Sequence, residues 1–481
     1  MPPTAVQPKN SPPAAAAAAD FRNHIATAEQ DGRRKWLYPK RPKGRYHRAR
    51  AWVAGVLLVV MFGGPFVKLN GNPLLMINVV ERKFSVLGVI FWPQDNLVFA
   101  LGFLLFLTGI AVFTAAFGRL WCGWTCPQTV MMEMVFRKIE YLIEGDASSQ
   151  KALAQAPWKA NKVARKGAKH IIFLALSFVI GNTLLAYIIG LDALKSIVTD
   201  NPSHHLTGLA FMGLFTLVFY GIFARFREQA CTFICPYGRF QSTLLDENTI
   251  VVAYDYKRGE KRGHLNRSES REQRGARGIG DCVDCFNCVT VCPTGVDIRN
   301  GTQMECVNCT ACIDECDEVM AKIGRPPGLI RFASLNGIER NEPIRVTPRI
   351  MGYCAILVIL GLGLLTLLLT RSEVDVSLLR APGALFQQTL EGKISNLYLL
   401  KLTNKTHSDK TVDLKLENIE GTLTVLGGQL TLPAEKQTEA SVLVEIAGAN
   451  LKSGTTPLVV RVYSTGKPID KIKTIFIGPR R

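Results

Sequence analysis

The sequence predicts an α-helical integral membrane protein that carries an inserted cysteine-rich domain and ends in a β-sandwich. Three observations predict it: five long uncharged runs, eight cysteines crowded between Cys282 and Cys316, and a change of hydrophobic period after Thr370. The composition agrees. Of 481 residues, 48% are hydrophobic and only 20% charged, yet the net charge is +18. Apolar content this high excludes a wholly disordered chain. The basic excess fits a membrane protein with its lysines and arginines gathered on one side of the bilayer.

Residues 51–67 form the first uncharged run, and 97–118, 171–191, 206–224 and 350–370 follow. The last four are 19 to 22 residues long, enough to cross a hydrocarbon core as helices. Gly63, Gly64 and Pro65 predict a bend at the end of the first. The apolar stretch from Phe84 to Pro93 is too short to span and reads as interfacial or re-entrant. Nine Lys or Arg and no acid lie in 33–50, and 119–170 carries nine basic against four acidic residues. The positive-inside rule therefore places the N-terminus, 119–170 and 225–349 in the cytoplasm. Five spans put the C-terminal tail on the other side, the periplasm of a bacterial inner membrane.

This reading divides the chain in order. Residues 1–50 are a flexible basic N-terminus with Pro12, Pro13 and six consecutive alanines, and show no cleavable signal peptide. Residues 51–224 hold four spans and a first CxxxCP motif, and 225–280 a cytoplasmic segment with a second. The cysteine domain is 281–325, a linker 326–349, the fifth span 350–370 and the exported β-domain 371–481.

The strongest chemical signal is Cys282-x-x-Cys285-x-x-Cys288-x-x-x-Cys292-Pro293, repeated as Cys306-x-x-Cys309-x-x-Cys312-x-x-x-Cys316. Thiolates are soft anionic donors, and three closely spaced cysteines with a fourth from elsewhere surround an iron-sulfur cube. The run resembles a bacterial two-cluster ferredoxin domain, whose crossed ligation assigns Cys282, Cys285, Cys288 and Cys316 to one [4Fe-4S] cluster. Cys292, Cys306, Cys309 and Cys312 then hold the other. Zinc also accepts four sulfurs, but it does not explain the doubled pattern. Asp317, not proline, follows Cys316, a departure that leaves all eight ligands in place.

Two further pairs, Cys122/Cys126 and Cys231/Cys235, each precede a proline soon after a span. On a helix, cysteines four apart share a face, and the proline either ends that conformation or starts the next helix. Together they offer four thiolates for copper(I), for additional iron-sulfur chemistry or for dithiol exchange. Met131, Met132 and Met134 read as packing for a membrane-surface helix, Cys354 as packing within the fifth span, and His204 and His205 as solvated loop residues. His170 and His264 give no sharper reading. The basic residues of 257–277, Arg267 among them, lack an aromatic recognition pattern; membrane phosphate, topology or docking to the cysteine domain explains them, and no nucleic-acid partner is expected. After Thr370, segments near 393–403, 411–417, 421–426, 440–447, 456–464 and 472–478 read as six or seven strands of a sandwich, punctuated by Gly427-Gly428, Gly448 and Gly466-Lys467-Pro468.

WCGWTCP, CTFICPYGRFQ, the doubled cysteine run and the final β-domain together resemble the FixG/CcoG/RdxA family over residues 33–481. The resemblance implies a membrane polyferredoxin with an immunoglobulin-like periplasmic domain, an accessory to the assembly of cbb-type cytochrome c oxidases. It implies reduction of copper(II) to copper(I) with Cys122, Cys126, Cys231 and Cys235 as catalytic and copper-binding residues. Expected partners are membrane lipid, the oxidase assembly machinery or a copper transporter or chaperone, and an unidentified electron donor; a homodimer is compatible with the sequence. Two other readings stand beside it. One is an electron relay for a quinol-linked respiratory reductase, the other a nonenzymatic oxidase assembly scaffold.

Overall fold

The computed structural model describes residues 26–479 apart from 30, 32, 70, 79–82, 266–270, 344, 384, 390–391, 429, 452–453 and 465–466. The proline- and alanine-rich start of the chain, Arg267 and Gly466 lie outside the described residues. The chain forms two compact units, one from residues up to Val67 with Ala100–Leu362, the other from Lys68–Phe99 with Gly363–Arg481.

Among the described residues, five helices are long and apolar enough to cross a membrane: Arg45–Phe66, Asn96–Phe117, Ala160–Ile189, Leu206–Phe226 and Pro348–Leu369. Hydrocarbon offers no partner for backbone polar groups, and a helix satisfies them internally. Their outer faces carry exposed Val56, Val59, Phe103, Leu217, Ile359 and Leu365, side chains that water would not tolerate in such number but lipid does. The protein is a multi-pass membrane protein. Cys354, expected to pack inside the fifth helix, is exposed on its surface.

Two helices begin earlier than their apolar runs. The first starts at Arg45, and Arg50 is buried because its Nε donates to the Gly123 carbonyl at 2.7 Å. The third starts at Ala160: Lys166 and Lys169 meet the buried Glu144 carboxylate at 3.0 and 2.9 Å, so an amphipathic charged turn extends the apolar run. The first helix gives way at Gly63 to the tight turn Gly64–Phe66, as its glycines and proline predict.

Residues 26–50, expected as part of a flexible tail, are instead held. Arg34 pairs with Glu228 at 3.0 Å, Lys40 with Glu315, and Thr27 is buried. Charge alone made this stretch read as a tail, because partners so distant in sequence are invisible locally.

The cysteine domain stands on a two-stranded antiparallel pair, Val251–Tyr254 with Ile330–Ala333, and on the helices Asn287–Thr290 and Ala311–Lys322. Val252, Ile298, Ile313, Met320, Leu329 and Ile330 form its core around Cys282 and Cys288.

In the other unit, one sheet runs Thr422–Leu426, Gln437–Ala447, Lys393–Asn404, Val374–Arg380, with Gln387–Gln388 also on Lys393–Asn404. The second runs Leu430–Leu432, Lys410–Leu416, Thr455–Ser464, Lys467–Ile477. All pairs are antiparallel, and alternate residues such as Tyr398, Leu400, Val442, Val444, Val460 and Val462 are fully buried between the sheets. Nine strands replace the expected six or seven. Val374–Arg380 escaped notice because it follows an apolar helix almost directly, and Leu430–Leu432 because it is only three residues long.

Phe84–Pro93 is not re-entrant. Lys83–Val86 and Val89–Phe91 extend an antiparallel sheet begun by Leu75–Asn78. In the same unit Asp95 accepts from Lys405 at 2.6 Å and Arg371 at 2.8 Å, fastening the segment to the sandwich. Burial pushes the Asp95 carboxyl upward, but the two cations outweigh it and hold it below its ordinary value.

Candidate metal and redox site

The two cysteine runs wrap in the same way. Asp284 and Phe286 flank Cys285 with φ of 53° and 56°; Asn308 and Thr310 flank Cys309 with φ of 53° and 66°. Left-handed residues on either side of the middle cysteine curl the backbone around a point, the form of an anion-binding nest.

That curl surrounds two cavities. One is lined by Cys282, Cys285, Cys288 and Cys316, with Tyr254 and Arg299 at its wall. The other is lined by Cys292, Cys306, Cys309 and Cys312, and Cys288 also reaches it. In each cavity three cysteines of one run meet the last cysteine of the other. Burial pushes the Cys288 and Cys306 thiols up to about 12 and Cys309 to about 11, with neighbouring thiols adding to the shift. Deprotonated sulfur here needs a compensating cation, which iron provides. Among the described residues no three His, Cys, Asp or Glu side chains close on a single metal ion. A zinc ion would draw four sulfurs to about 2.3 Å from one centre; these sets do not close on one centre, and four cysteines at each cavity fit an iron-sulfur cube.

Positive charge attends both cavities. Buried Arg299 donates to Asp297 at 2.7 Å, pairs with Asp284 and stacks over Phe286 at 4.1 Å. Arg50 faces Cys309 and Arg119 faces Cys306.

The CxxxCP pairs share a second repeated geometry. Cys122 lies on the short helix Leu120–Trp124 and Cys231 in the wide turn Ala230–Ile234. Cys126 and Cys235 leave the helical region, and Pro127 and Pro236 start the next helices, the second of the outcomes expected of those prolines. The N–H of Cys126 reaches the Trp121 carbonyl at 2.9 Å, and that of Cys235 reaches Ala230 at 2.9 Å, five residues back in both. Such over-wide turns concentrate at functional sites.

The two pairs meet. Burial pushes the Cys231 thiol up to about 12, and Cys126, Cys122 and Cys235 are close enough to raise it further. Each motif also reaches across to the other: Thr129, after the first motif, acts on Cys231, while the buried Gln241 amide, after the second, donates to the Cys122 sulfur at 3.3 Å and accepts Arg119 Nε at 2.7 Å. Cys122 in turn belongs to one buried cluster with Val307, Cys309 and Ala311, with Cys312 alongside. The space above Gly123 is taken by the Val307 carbonyl, 2.3 Å from where a Cβ would stand. The four-cysteine site therefore shares a wall with the second cavity.

The remaining candidates disperse. Met131, Met132 and Met134 are buried as packing, as expected. His205 contacts Asp200 at 3.2 Å, and His170 bonds Tyr220 at 2.9 Å. Arg258 holds Asp281 at 2.7 Å, and Arg274 donates to the carbonyls of Gly280, His264, Gly263 and Cys282, so these basic residues bind their own loop to the cysteine domain. Sequence reasoning missed Arg50, Arg119, Thr129 and Gln241. Only their nearness to the motifs in the chain could have flagged the last three.

Three family models match. A 4Fe-4S dicluster domain covers residues 226–335, a 4Fe-4S binding domain 99–144, and the IG-like fold at C-terminal of FixG 364–479. The chain is 33% identical over 440 residues to the nitrogen fixation protein FixG of Rhizobium meliloti, covering 83% of this chain and 82% of that one. It is 33% identical over 471 residues to protein RdxA of Cereibacter sphaeroides, covering 92% and 97%. A crystal structure of a FixG-related protein from Vibrio parahaemolyticus aligns with 22% of this chain and 95% of its own at 17% identity and a TM-score of 0.19.

Proposed function

The chain belongs to the FixG/RdxA family of membrane iron-sulfur proteins, and from that premise we propose that it reduces copper(II) to copper(I) on the cytoplasmic side of a bacterial inner membrane, in support of cbb-type cytochrome c oxidase assembly. Cys282, Cys285, Cys288 and Cys316 hold one [4Fe-4S] cluster, and Cys292, Cys306, Cys309 and Cys312 the other. When bound, these clusters supply one-electron exchange.

The observation that carries the reading is the shared wall: Cys122 lies in one buried cluster with Cys309 and Ala311, and its neighbour Gly123 abuts the Val307 carbonyl. Copper(II) is the substrate, and it meets soft sulfur donors that favour the reduced ion. Gln241 fixes the orientation of Cys122, and the apolar packing around Cys122 keeps water away. The cytoplasmic orientation is supported by basic flanks of the spans. The five-span arrangement is supported by the grouping of residues 68–99 with the C-terminal sandwich, since five crossings leave both on one side.

The test is copper(II) reduction by purified, cluster-loaded protein supplied with a low-potential one-electron donor. Replacing Cys122, Cys126, Cys231 and Cys235 by serine is expected to abolish it while leaving both ferredoxin clusters. Undiminished reduction in that variant overturns the role of the four cysteines.

A further inference from the structure

We propose that Cys122, Cys126, Cys231 and Cys235 are the ligands of a third iron-sulfur cluster beside the second cavity. The inference rests on the redox reading above and names the group that occupies its site; copper(II) is then reduced at the edge of that group instead of being held by all four thiols.

The donor set is right in number and kind. Two matching turns bring their cysteines together: Gln241, six residues after Cys235, donates to the Cys122 sulfur at 3.3 Å, and Arg119, three residues before Cys122, reaches to within 3.3 Å of where a Cβ on Gly238 would stand. All four cysteines are free. This is the ligand count of each cavity in the cysteine domain, delivered by a duplicated backbone motif in both places.

The surroundings call for an anion. Arg50 and Arg119 are 3% and 5% exposed, and among the described residues neither meets a carboxylate. A buried guanidinium without a counter-charge is strongly unfavourable. Arg50 lies on the Gly123 carbonyl through Nε, and Arg119 reaches Cys122 and Gln241, so both cations stand at the first motif. The second cluster is one counter-charge for this pair of cations, and a four-thiolate cluster at the first motif, which is also net negative, adds another.

Buried hydrogen-bond donors without acceptors occur in and beside the first motif. Trp124 Nε1, Gln128 Nε2 and Arg50 Nη2 are buried and have no partner. Trp124 sits between the cysteines of the first motif, and Gln128 follows Cys126 by two residues. Each orphan donor costs about 1–3 kcal/mol. A protonated thiol is a weak acceptor, whereas the sulfurs of a cluster accept N–H bonds that tune its potential.

The family comparison points the same way. The 4Fe-4S binding model covers residues 99–144, where Cys122 and Cys126 are the only cysteines.

The experiment is anaerobic purification of the full chain, with iron, acid-labile sulfide and free thiols counted per chain. About twelve irons are expected, against about eight for two clusters. The double variant Cys126→Ser/Cys235→Ser is expected to lose about a third of the iron and one paramagnetic signal, the other two signals persisting. Should that variant not fold, Trp124→Phe decides: three titrating centres, one of them moved downward from the parent, support the cluster, and a redox titration that finds two centres only overturns it. About eight irons in the parent chain, with four thiols titrating free or as disulfide, also overturns it. A twelve-iron preparation that cannot reduce copper(II) sinks the copper reading alone; an eight-iron preparation that reduces it sinks the third cluster alone.

Discussion

The carboxylate of Asp314, between Cys312 and Cys316, accepts the backbone N–H of His47 at 2.8 Å and of Tyr46 at 3.1 Å. A residue of the second cysteine run thus caps the first membrane helix, whose opening N–H groups lack partners of their own. Gly44, at φ 133°, lies so close that a Cβ there would stand 2.3 Å from the Asp314 side chain. The cysteine domain and the first membrane helix are one folded object at this point.

Asp314→Ala is therefore expected to lower stability by about 0.5–2 kcal/mol, the usual cost of a lost N-cap. Asp314→Asn, which keeps one acceptor, costs less. Thermal unfolding in detergent at equal iron content measures both, and an alanine variant melting with the parent would refute the cap.

Gly123→Ala forces the first motif away from the Val307 carbonyl. Overpacking of this kind costs about 1–3 kcal/mol. Copper(II) reduction should fall while the eight ligands of the cysteine domain keep their iron. Unchanged turnover would mean that contact between the two sites is irrelevant.

Glu140 accepts both terminal nitrogens of Arg227, at 2.8 and 2.7 Å, and so ties the helix after the first motif to the turn before the second. Burial pushes its carboxyl upward, but Arg227, Lys169 and Arg137 overcome this and hold it below 4.5. Its contribution is accordingly full above its ordinary value and disappears as pH falls through the lowered one. Glu140→Gln leaves Arg227 buried against a neutral amide; by the scale of broken buried pairs it should cost about 3–5 kcal/mol at pH 7. Melting curves from pH 7 to 3 should show the parent's advantage over the variant persisting past pH 4.5 and closing below it.

Crossed ligation has its own signature. Cys316→Ser should disturb the same paramagnetic centre as Cys282→Ser, and Cys292→Ser the same centre as Cys306→Ser. If Cys316→Ser instead disturbs the centre of Cys306, each run holds its own cluster.

Short-range chemistry was written plainly in the chain. The spacing of Cys282 to Cys316, the apolar runs and the alternation in Lys393–Asn404 depend on residues a few positions apart, so local order fixes them. Position-specific proximity is another matter. Nothing in the sequence says that Gln241 would touch Cys122, that Asp314 would cap the helix at Tyr46, or that Arg50 would be buried on Gly123. Those contacts join segments far apart along the backbone, and a charged residue beside a span looks the same whether it faces water or a sulfur site. Only the packing of the helix ends against the cysteine domain, which strips those side chains of solvent and leaves each with one available partner, decided which they became.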